Sequence, residues 1–100
     1  MQMRDGRFIL TEVKNQRTVD IGNALAKFED VAQLSARRDG DFRVGRLELY
    51  VSEGRFEGFN DAQFSVGPGG ILHYNGSPYH VAGAPGVPIH VIPRALPDPP

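Results

Sequence analysis

The three histidines of the chain, His73, His80 and His90, lie within one stretch, HYNGSPYHVAGAPGVPIH. Imidazole titrates near neutral pH and is a frequent metal ligand, so such a group suggests a metal centre or an acid–base catalyst. A zinc site needs three or four ligands in a fixed geometry. Neither an HExxH nor an H-x-E pattern accompanies these histidines. We therefore expect no metal or other cofactor, and a metal-binding protein or small metal-dependent enzyme that uses the three histidines stays as one alternative.

The same stretch contains a strong turn signal. The dipeptide Asn75-Gly76 predicts a β-hairpin over residues 71 to 81, because a type I′ turn needs two consecutive residues with positive φ. The predicted pairs are Tyr74 with Ser77, His73 with Pro78, Leu72 with Tyr79, and Ile71 with His80. On this register His73 and His80 are diagonal neighbours on one face, and the two tyrosines lie on the other. We interpret both histidines as partly exposed side chains of the hairpin.

Other catalytic signatures are missing from the sequence. There is no GxSxG, P-loop or GxGxxG motif, and the glycine-rich GPGG stretch leads into an apolar run typical of a strand, where a phosphate site would need the start of a helix. The carboxylates are scattered over segments that we expect at the surface, whereas an acid–base pair needs a shared pocket. We therefore expect that the protein is not an enzyme.

One local group of basic residues stands out, formed by Arg37, Arg38, Arg43 and Arg46. These arginines could contact phosphates, so a nucleic-acid-binding protein is a further alternative. Two observations count against it. The whole chain has 11 basic and 12 acidic side chains and a net charge of -1, and no aromatic RNA-binding signature lies beside the arginines. Arg37 and Arg38 also suit the last turn of a helix, where positive charge meets the negative end of the helix dipole.

Length and composition bound the class of protein. One hundred residues are enough for one domain, predicted over residues 1 to 94, with a proline-rich C-terminal tail over residues 95 to 100. The absence of cysteine excludes disulfides and cysteine-bound metals. No apolar stretch has the length of a signal peptide or a membrane span. We expect a cytoplasmic protein that does not interact with membranes.

The clearest periodicity predicts one amphipathic helix over residues 20 to 38. Its N-terminus would be capped by Asp20 or Thr18, and Gly40 would end it. The residues that share the predicted core face are Ile21, Ala24, Leu25, Phe28, Val31, Ala32 and Ser35.

Strand signals surround this helix. Residues 7 to 13 predict a first strand, and residues 42 to 51 predict a second with a bulge at Gly45-Arg46, where the alternation of apolar residues changes phase. A two-residue turn at Glu53-Gly54 would pair Val51 with Phe56. Another strand is expected over residues 62 to 66, whereas the final IPRALPDPP is not expected to extend the sheet. The predicted fold is α+β, with one amphipathic helix packed on an antiparallel sheet of about five to six strands built from hairpins.

These observations favour a small non-enzymatic protein-binding module, such as an adaptor, an inhibitor or an accessory protein of a phage or mobile element. Aromatic side chains often anchor protein interfaces. The candidate partner-binding residues are therefore Tyr74, Tyr79 and His80 of the hairpin, with Arg43 and Arg46 as a second surface. Pro78 marks the strand over residues 77 to 81 as a free edge. Such an edge could accept a partner chain or allow a homo-oligomer, but the proline and the preceding turn also protect it, and protection is slightly favoured.

Overall fold

The computed structural model describes residues 7 to 38 and 43 to 96 of the 100-residue chain. In chain order the elements are β1 (Arg7–Lys14), β2 (Thr18–Val19), α1 (Ile21–Arg38), β3 (Arg43–Ser52), β4 (Gly58–Phe59), β5 (Phe64–Val66), a short 3₁₀ helix (Pro68–Gly70), β6 (Leu72–Tyr74), β7 (Ser77–Pro78) and β8 (Ile89–Arg94). The α+β class is confirmed. No helix in these two ranges is long and apolar enough to cross a membrane.

The main sheet is parallel, which corrects the prediction of an antiparallel sheet built from hairpins. It contains three strands in the order β1-β3-β8, and both neighbouring pairs run parallel. Parallel neighbours need a long crossover, and α1 forms the crossover between β1 and β3. Two smaller sheets complete the fold: a parallel pair of β2 with β4, and an antiparallel sheet in the order β5-β6-β7.

A turn is present at Glu53-Gly54 as predicted, but the predicted pairing of Val51 with Phe56 across it is wrong. Ser52 O accepts backbone hydrogen bonds from the N–H groups of Arg55 and Phe56, at 3.2 and 2.9 Å, so a tight turn ends β3 here. The chain then leaves the main sheet, and Phe59 pairs with Val19 in the small parallel sheet. Phe56 packs edge-on against Phe59, with 5.2 Å between the ring centroids, so it does not pair with Val51.

The last strand of the main sheet was not predicted. β8 includes Ile92, Pro93 and Arg94 and pairs with β3 from Leu47↔Ile89 to Ser52↔Arg94. The expectation that this segment could not extend the sheet is therefore wrong. Proline is tolerated in β8 because the strand lies at the edge of the sheet, where a missing N–H need not break a ladder.

The predicted bulge in β3 is confirmed. Phe8 pairs with Val44 and Ile9 with Arg46, so Gly45 is an extra residue in β3. The bulge lets the apolar residues on both sides of it face the core, because Val44 packs against the core and Leu47 is fully buried. It also determines which polar residues of β3 point away from the core.

The helix is confirmed with almost the predicted ends. Asp20 Oδ1 accepts the backbone N–H of Asn23 at 3.1 Å, which is the hydrogen bond of an N-cap. Asn60 Oδ1 adds a second cap by accepting the N–H of Ile21 at 3.1 Å. Gly40 and the side chain of Ser35 lie outside the described residues.

Among the predicted core-face residues of α1 whose side chains are described, one is not buried. Val31 is 43% exposed, whereas five of the other predicted residues are buried. The covering segment explains the difference, because Gly83 lies directly over Ala32 and Gln33 and leaves Val31 uncovered. The buried apolar residues are Val19, Ile21, Ala24, Leu25, Phe28, Ala32, Leu47, Leu49, Val51, Leu72, Val81, Ala84, Ile89 and Val91.

We predict that Leu25→Ala and Phe28→Ala each lower the free energy of unfolding by about 2 to 5 kcal/mol, because both remove buried side-chain volume. Lys27→Ala is the matched control. Its ammonium group is half exposed and contacts Glu12 at 3.3 Å, a surface ion pair of small net value. Urea denaturation of the three variants measures the difference, and a loss at position 27 equal to that at position 28 would contradict the observed helix orientation.

Candidate functional site

The hairpin forms as predicted around its turn. Asn75 and Gly76 have φ of 51° and 83°, as a type I′ turn requires. The ladder contains Tyr74↔Ser77 and His73↔Pro78, and Tyr79 N–H donates to Leu72 O at 3.0 Å. The predicted pair Ile71 with His80 is wrong, because Ile71 forms an isolated bridge with His90 of the main sheet.

The two hairpin tyrosines belong to an aromatic cluster with Phe64. Ring centroids are 4.8 Å apart for Phe64 and Tyr74, 5.2 Å for Phe64 and Tyr79, and 6.1 Å for Tyr74 and Tyr79. Tyr79 also packs against the core, and both tyrosines are half-buried. Much of their surface therefore supports the small antiparallel sheet, and His80 is the exposed member of the predicted contact residues here.

His73 has a packing environment of its own. Its Nδ1 lies 2.8 Å from Ile71 O, within hydrogen-bonding distance. The ring lies directly against Gly67, where an added Cβ would fall 2.1 Å from Nδ1. This close approach makes His73 a packing residue between β6 and the loop that follows β5.

The three histidines do not form one site. His90 lies on β8, where it is paired in register with Glu48 of β3, whereas His73 lies on β6 against Gly67. Across residues 7 to 38 and 43 to 96, no three His, Cys, Asp or Glu side chains lie close enough together to hold a metal ion.

The main sheet has a second face, which we call the open face. Alternation places one set of side chains toward α1, and the other set points away from it. The open-face residues are Ile9, Thr11 and Val13 of β1, Arg46, Glu48 and Tyr50 of β3, and His90, Ile92 and Arg94 of β8. All of them are half-buried or exposed, while the residues between them in β3 are buried. Parallel sheets are normally covered on both faces, so this exposure is unusual.

Glu48 organises the polar centre of the open face. Arg46 Nε donates to Glu48 Oε2 at 2.6 Å, and the hydroxyl of Tyr50 donates to Glu48 Oε1 at 3.2 Å. Burial raises the pKa of Glu48, but the hydrogen bonds from Arg46 and Tyr50, with the positive charge of Arg46 and the nearby His90, lower it overall below 4.5. Glu48 is therefore a carboxylate at neutral pH, and it fixes the positions of Arg46 and Tyr50.

His90 lies beside this pair. Burial lowers its pKa below the ordinary value of 6.5, and the positive charge of Arg46 lowers it further, while Glu48 opposes the shift. Neutral imidazole is therefore the favoured form of His90 at neutral pH. The open face presents His90 as an uncharged polar group.

Arg94 lies over the ring of Tyr50. Its guanidinium carbon is 5.3 Å from the centroid of the tyrosine ring, within the range of a cation–π contact. Within the described part of the chain, no carboxylate lies at ion-pair distance from Arg94. Its positive charge is thus available to a bound molecule.

The predicted basic cluster is only partly described. Arg37 and Arg38 end α1 and Arg43 begins β3, but the side chains of these three residues lie outside the described part of the structure. Arg46 lies on the open face, where its ion pair with Glu48 offsets the positive charge that would attract a phosphate.

The sequence analysis did not identify Glu48, Tyr50 and Arg94 as site residues. The signal for the first two was present, since polar residues alternate with Leu47, Leu49 and Val51.

Comparison of the chain with protein-family models, with curated proteins and with solved structures gives no significant match.

We predict that His90 makes folding stability depend on pH. The pKa of His90 is lowered in the folded state, so the unfolded chain binds a proton more readily than the folded one. The contribution of His90 to folding stability is therefore present above pH 6.5 and is lost as the pH falls. The free energy of unfolding of the wild type should fall between about pH 7.5 and about pH 5, and His90→Gln should reduce this fall. Glu48 contributes only at lower pH, because its pKa is below 4.5.

Urea denaturation at the two pH values makes this measurement, with the exposed His80→Gln as the matched control. An equal fall in wild type and His90→Gln would contradict the assigned environment of His90.

We also predict an energetic coupling between Gly67 and His73. Gly67→Ala should destabilise by about 1 to 3 kcal/mol, because the new Cβ overlaps the imidazole. The backbone itself accepts alanine, since φ of Gly67 is −92°. In the background His73→Ala the same change should cost much less, and a double-mutant cycle measures the difference. Additive effects would contradict the packing role of His73.

Proposed function

We propose that the protein is a small protein-binding module that acts by surface contact, and that its contact surface is the open face. The observation that carries the proposal is a three-stranded parallel sheet that, among the described residues, is covered by a helix on one side only. Parallel sheets are normally buried on both faces. A partner protein that covers the open face would complete the usual layered arrangement.

The side chains of the open face suit this role. Tyrosine and arginine are the residue types that most often dominate binding energy at protein interfaces. Tyr50 is held between Glu48 and Arg94, so its ring loses little conformational freedom when a partner binds. Ile92 and Val13 supply apolar area on either side, and Val13 is 50% exposed.

The charges indicate what kind of partner fits. Arg46 and Glu48 neutralise each other, and the lowered pKa of His90 favours its neutral form. Arg94 then contributes the unbalanced charge of this surface among the described residues. The partner is therefore expected to place a carboxylate opposite Arg94 and an apolar side chain over Tyr50 and Ile92.

The hairpin remains the competing surface for the same function. Its tip is exposed from Asn75 to Pro78, and His80 is exposed beside it. The hairpin is less favoured as the contact surface, because much of the surface of Tyr74 and Tyr79 packs against Phe64. The open face is favoured because, among the described residues, Arg94 has no ion-pair partner and the ring of Tyr50 packs against no other aromatic ring.

Binding measurements with open-face variants test the proposal. Affinity capture from the native host supplies candidate partners, and biolayer interferometry with the purified partner measures the dissociation constant. Tyr50→Ala and Arg94→Ala should each weaken binding by about tenfold or more, because both remove a central contact. Arg17→Ala is the matched control for Arg94, since Arg17 is an exposed arginine on another surface, paired with Glu57 at 3.4 Å.

The hairpin variant His80→Ala should bind like the wild type. If His80→Ala weakens binding while Tyr50→Ala and Arg94→Ala do not, the interface lies at the hairpin and the proposed surface is wrong. A captured ligand that proves to be nucleic acid, with binding that weakens steeply with salt, would overturn the assignment as a protein-binding module.

A further inference from the structure

The main sheet ends at β1, whose outer side has no neighbouring strand among the described residues. β1 has eight residues, RFILTEVK, with neither proline nor glycine. The bulge at this pair lies in β3, so β1 itself is regular. Thr11 and Val13 are exposed on it. An edge of this length, with no partner strand on its outer side among the described residues, is a template for another strand.

The other edges of the fold are blunted. β7 contains only Ser77 and Pro78, and β5 contains only three residues. β8 contains Pro93, and its outer side is bridged at His90 by Ile71. The strand around Pro78, for which the sequence left both partner addition and protection open, is therefore less suited to strand addition than β1. Within the described residues, β1 is the long edge without a proline or a bridge on its outer side, and its charged residues Glu12 and Lys14 contact Lys27 and Asn23 of α1.

We propose that β1 pairs with β1 of a second copy of this chain. The two strands run antiparallel around a two-fold axis near Thr11 and join two three-stranded sheets into one of six strands. A two-fold interface needs a self-complementary surface. A single strand meets this requirement when each of its residues is compatible with the residue that lies opposite it in an antiparallel copy of the same strand.

The sequence of β1 favours one register. An axis normal to the sheet keeps the open faces of both copies on one side, so only registers that pair residues of the same face are allowed. With Thr11 on the axis, Ile9 lies opposite Val13 of the second copy, and the overlap spans residues 8 to 14. Such β-branched and Thr–Thr pairs stabilise antiparallel sheets.

Charge and overlap disfavour the neighbouring registers. An axis at Glu12 would place two like carboxylates opposite each other, which destabilises a sheet. An axis at Val13 would place Ile9 opposite Arg17, beyond the end of β1. With the axis at Thr11, Glu12 lies opposite Leu10 of the second copy. It also keeps its contact with Lys27 of its own α1, 3.3 Å away.

The pairing goes beyond the proposed function. Both helices would lie on the same side of the six-stranded sheet, and the two open faces would form one continuous surface on the other. The open face of each copy stays free, so failure of one proposal leaves the other standing.

Sedimentation velocity over a concentration series tests the pairing. The wild type should show a reversible monomer–dimer equilibrium, and Val13→Lys should raise the dissociation constant by about tenfold or more, because an edge lysine opposes strand addition. Val66→Lys is the matched control, since Val66 is 43% exposed on β5. It should dimerise like the wild type. A wild type that stays monomeric, or a dimer unaffected by Val13→Lys, would overturn the proposal.

Single-cysteine variants test the register. The natural chain has no cysteine, so Thr11→Cys can form a disulfide only between two copies. Residues directly opposite across antiparallel strands have Cβ atoms about 4.5 to 5.5 Å apart, close to disulfide geometry. Thr11→Cys should therefore give a covalent dimer at least about tenfold faster than Ser65→Cys, whose exposed position lies on β5. Equal rates for the two variants would overturn an axis near Thr11.

Discussion

The fold depends on the burial of one apolar stripe of α1 against one face of a three-stranded parallel sheet. Phe28 and Leu25 of the helix meet Leu47, Leu49 and Ile89 of the strands in a single core. An 18-residue helix covers one face of so small a sheet. The loop around Gly83 and the small sheet that contributes Leu72 extend the same core. Since these apolar residues share one core, the other face of the main sheet must be stable in contact with water.

The polar residues of β3 and β8 meet this requirement. Glu48 is only partly accessible, so its charge needs partners, and it finds Arg46 and the hydroxyl of Tyr50 two residues away on either side along the same strand. Residues at this spacing lie on one face of a strand, and the parallel register adds His90 beside Glu48. The hydrogen bonds that make the open face tolerable in water also hold Tyr50 in place. The same hydrogen bonds therefore stabilise the open face and fix the tyrosine that the proposed contact would use.

Features that depend on local sequence could be predicted, and the pairing of strands that are distant in the chain could not. The helix, its Asp20 cap, the Asn75-Gly76 turn and the bulge at Gly45 depend on neighbours within a few residues. The direction of the main sheet does not, because alternation along β3 is the same in parallel and antiparallel pairing. β8 was missed because Pro88 and Pro93 resemble loop signals, although an edge strand accepts proline. Tyr50, Glu48 and Arg94 were missed as a group since their proximity follows from the pairing of β3 with β8.

The histidines show why closeness along the chain is a poor guide to a site here. His73 and His80 are joined by a tight turn, yet His73 is held by Gly67 and Ile71 and belongs to no group of three potential metal ligands among the described residues. His90 is 17 positions beyond His73 and enters a different environment because β8 crosses back to the main sheet. There it lies beside the carboxylate of Glu48 and the guanidinium group of Arg46. The register of the parallel sheet therefore determines which polar side chains of the open face lie together. The hairpin mainly contributes to the core, through Leu72 and Tyr79.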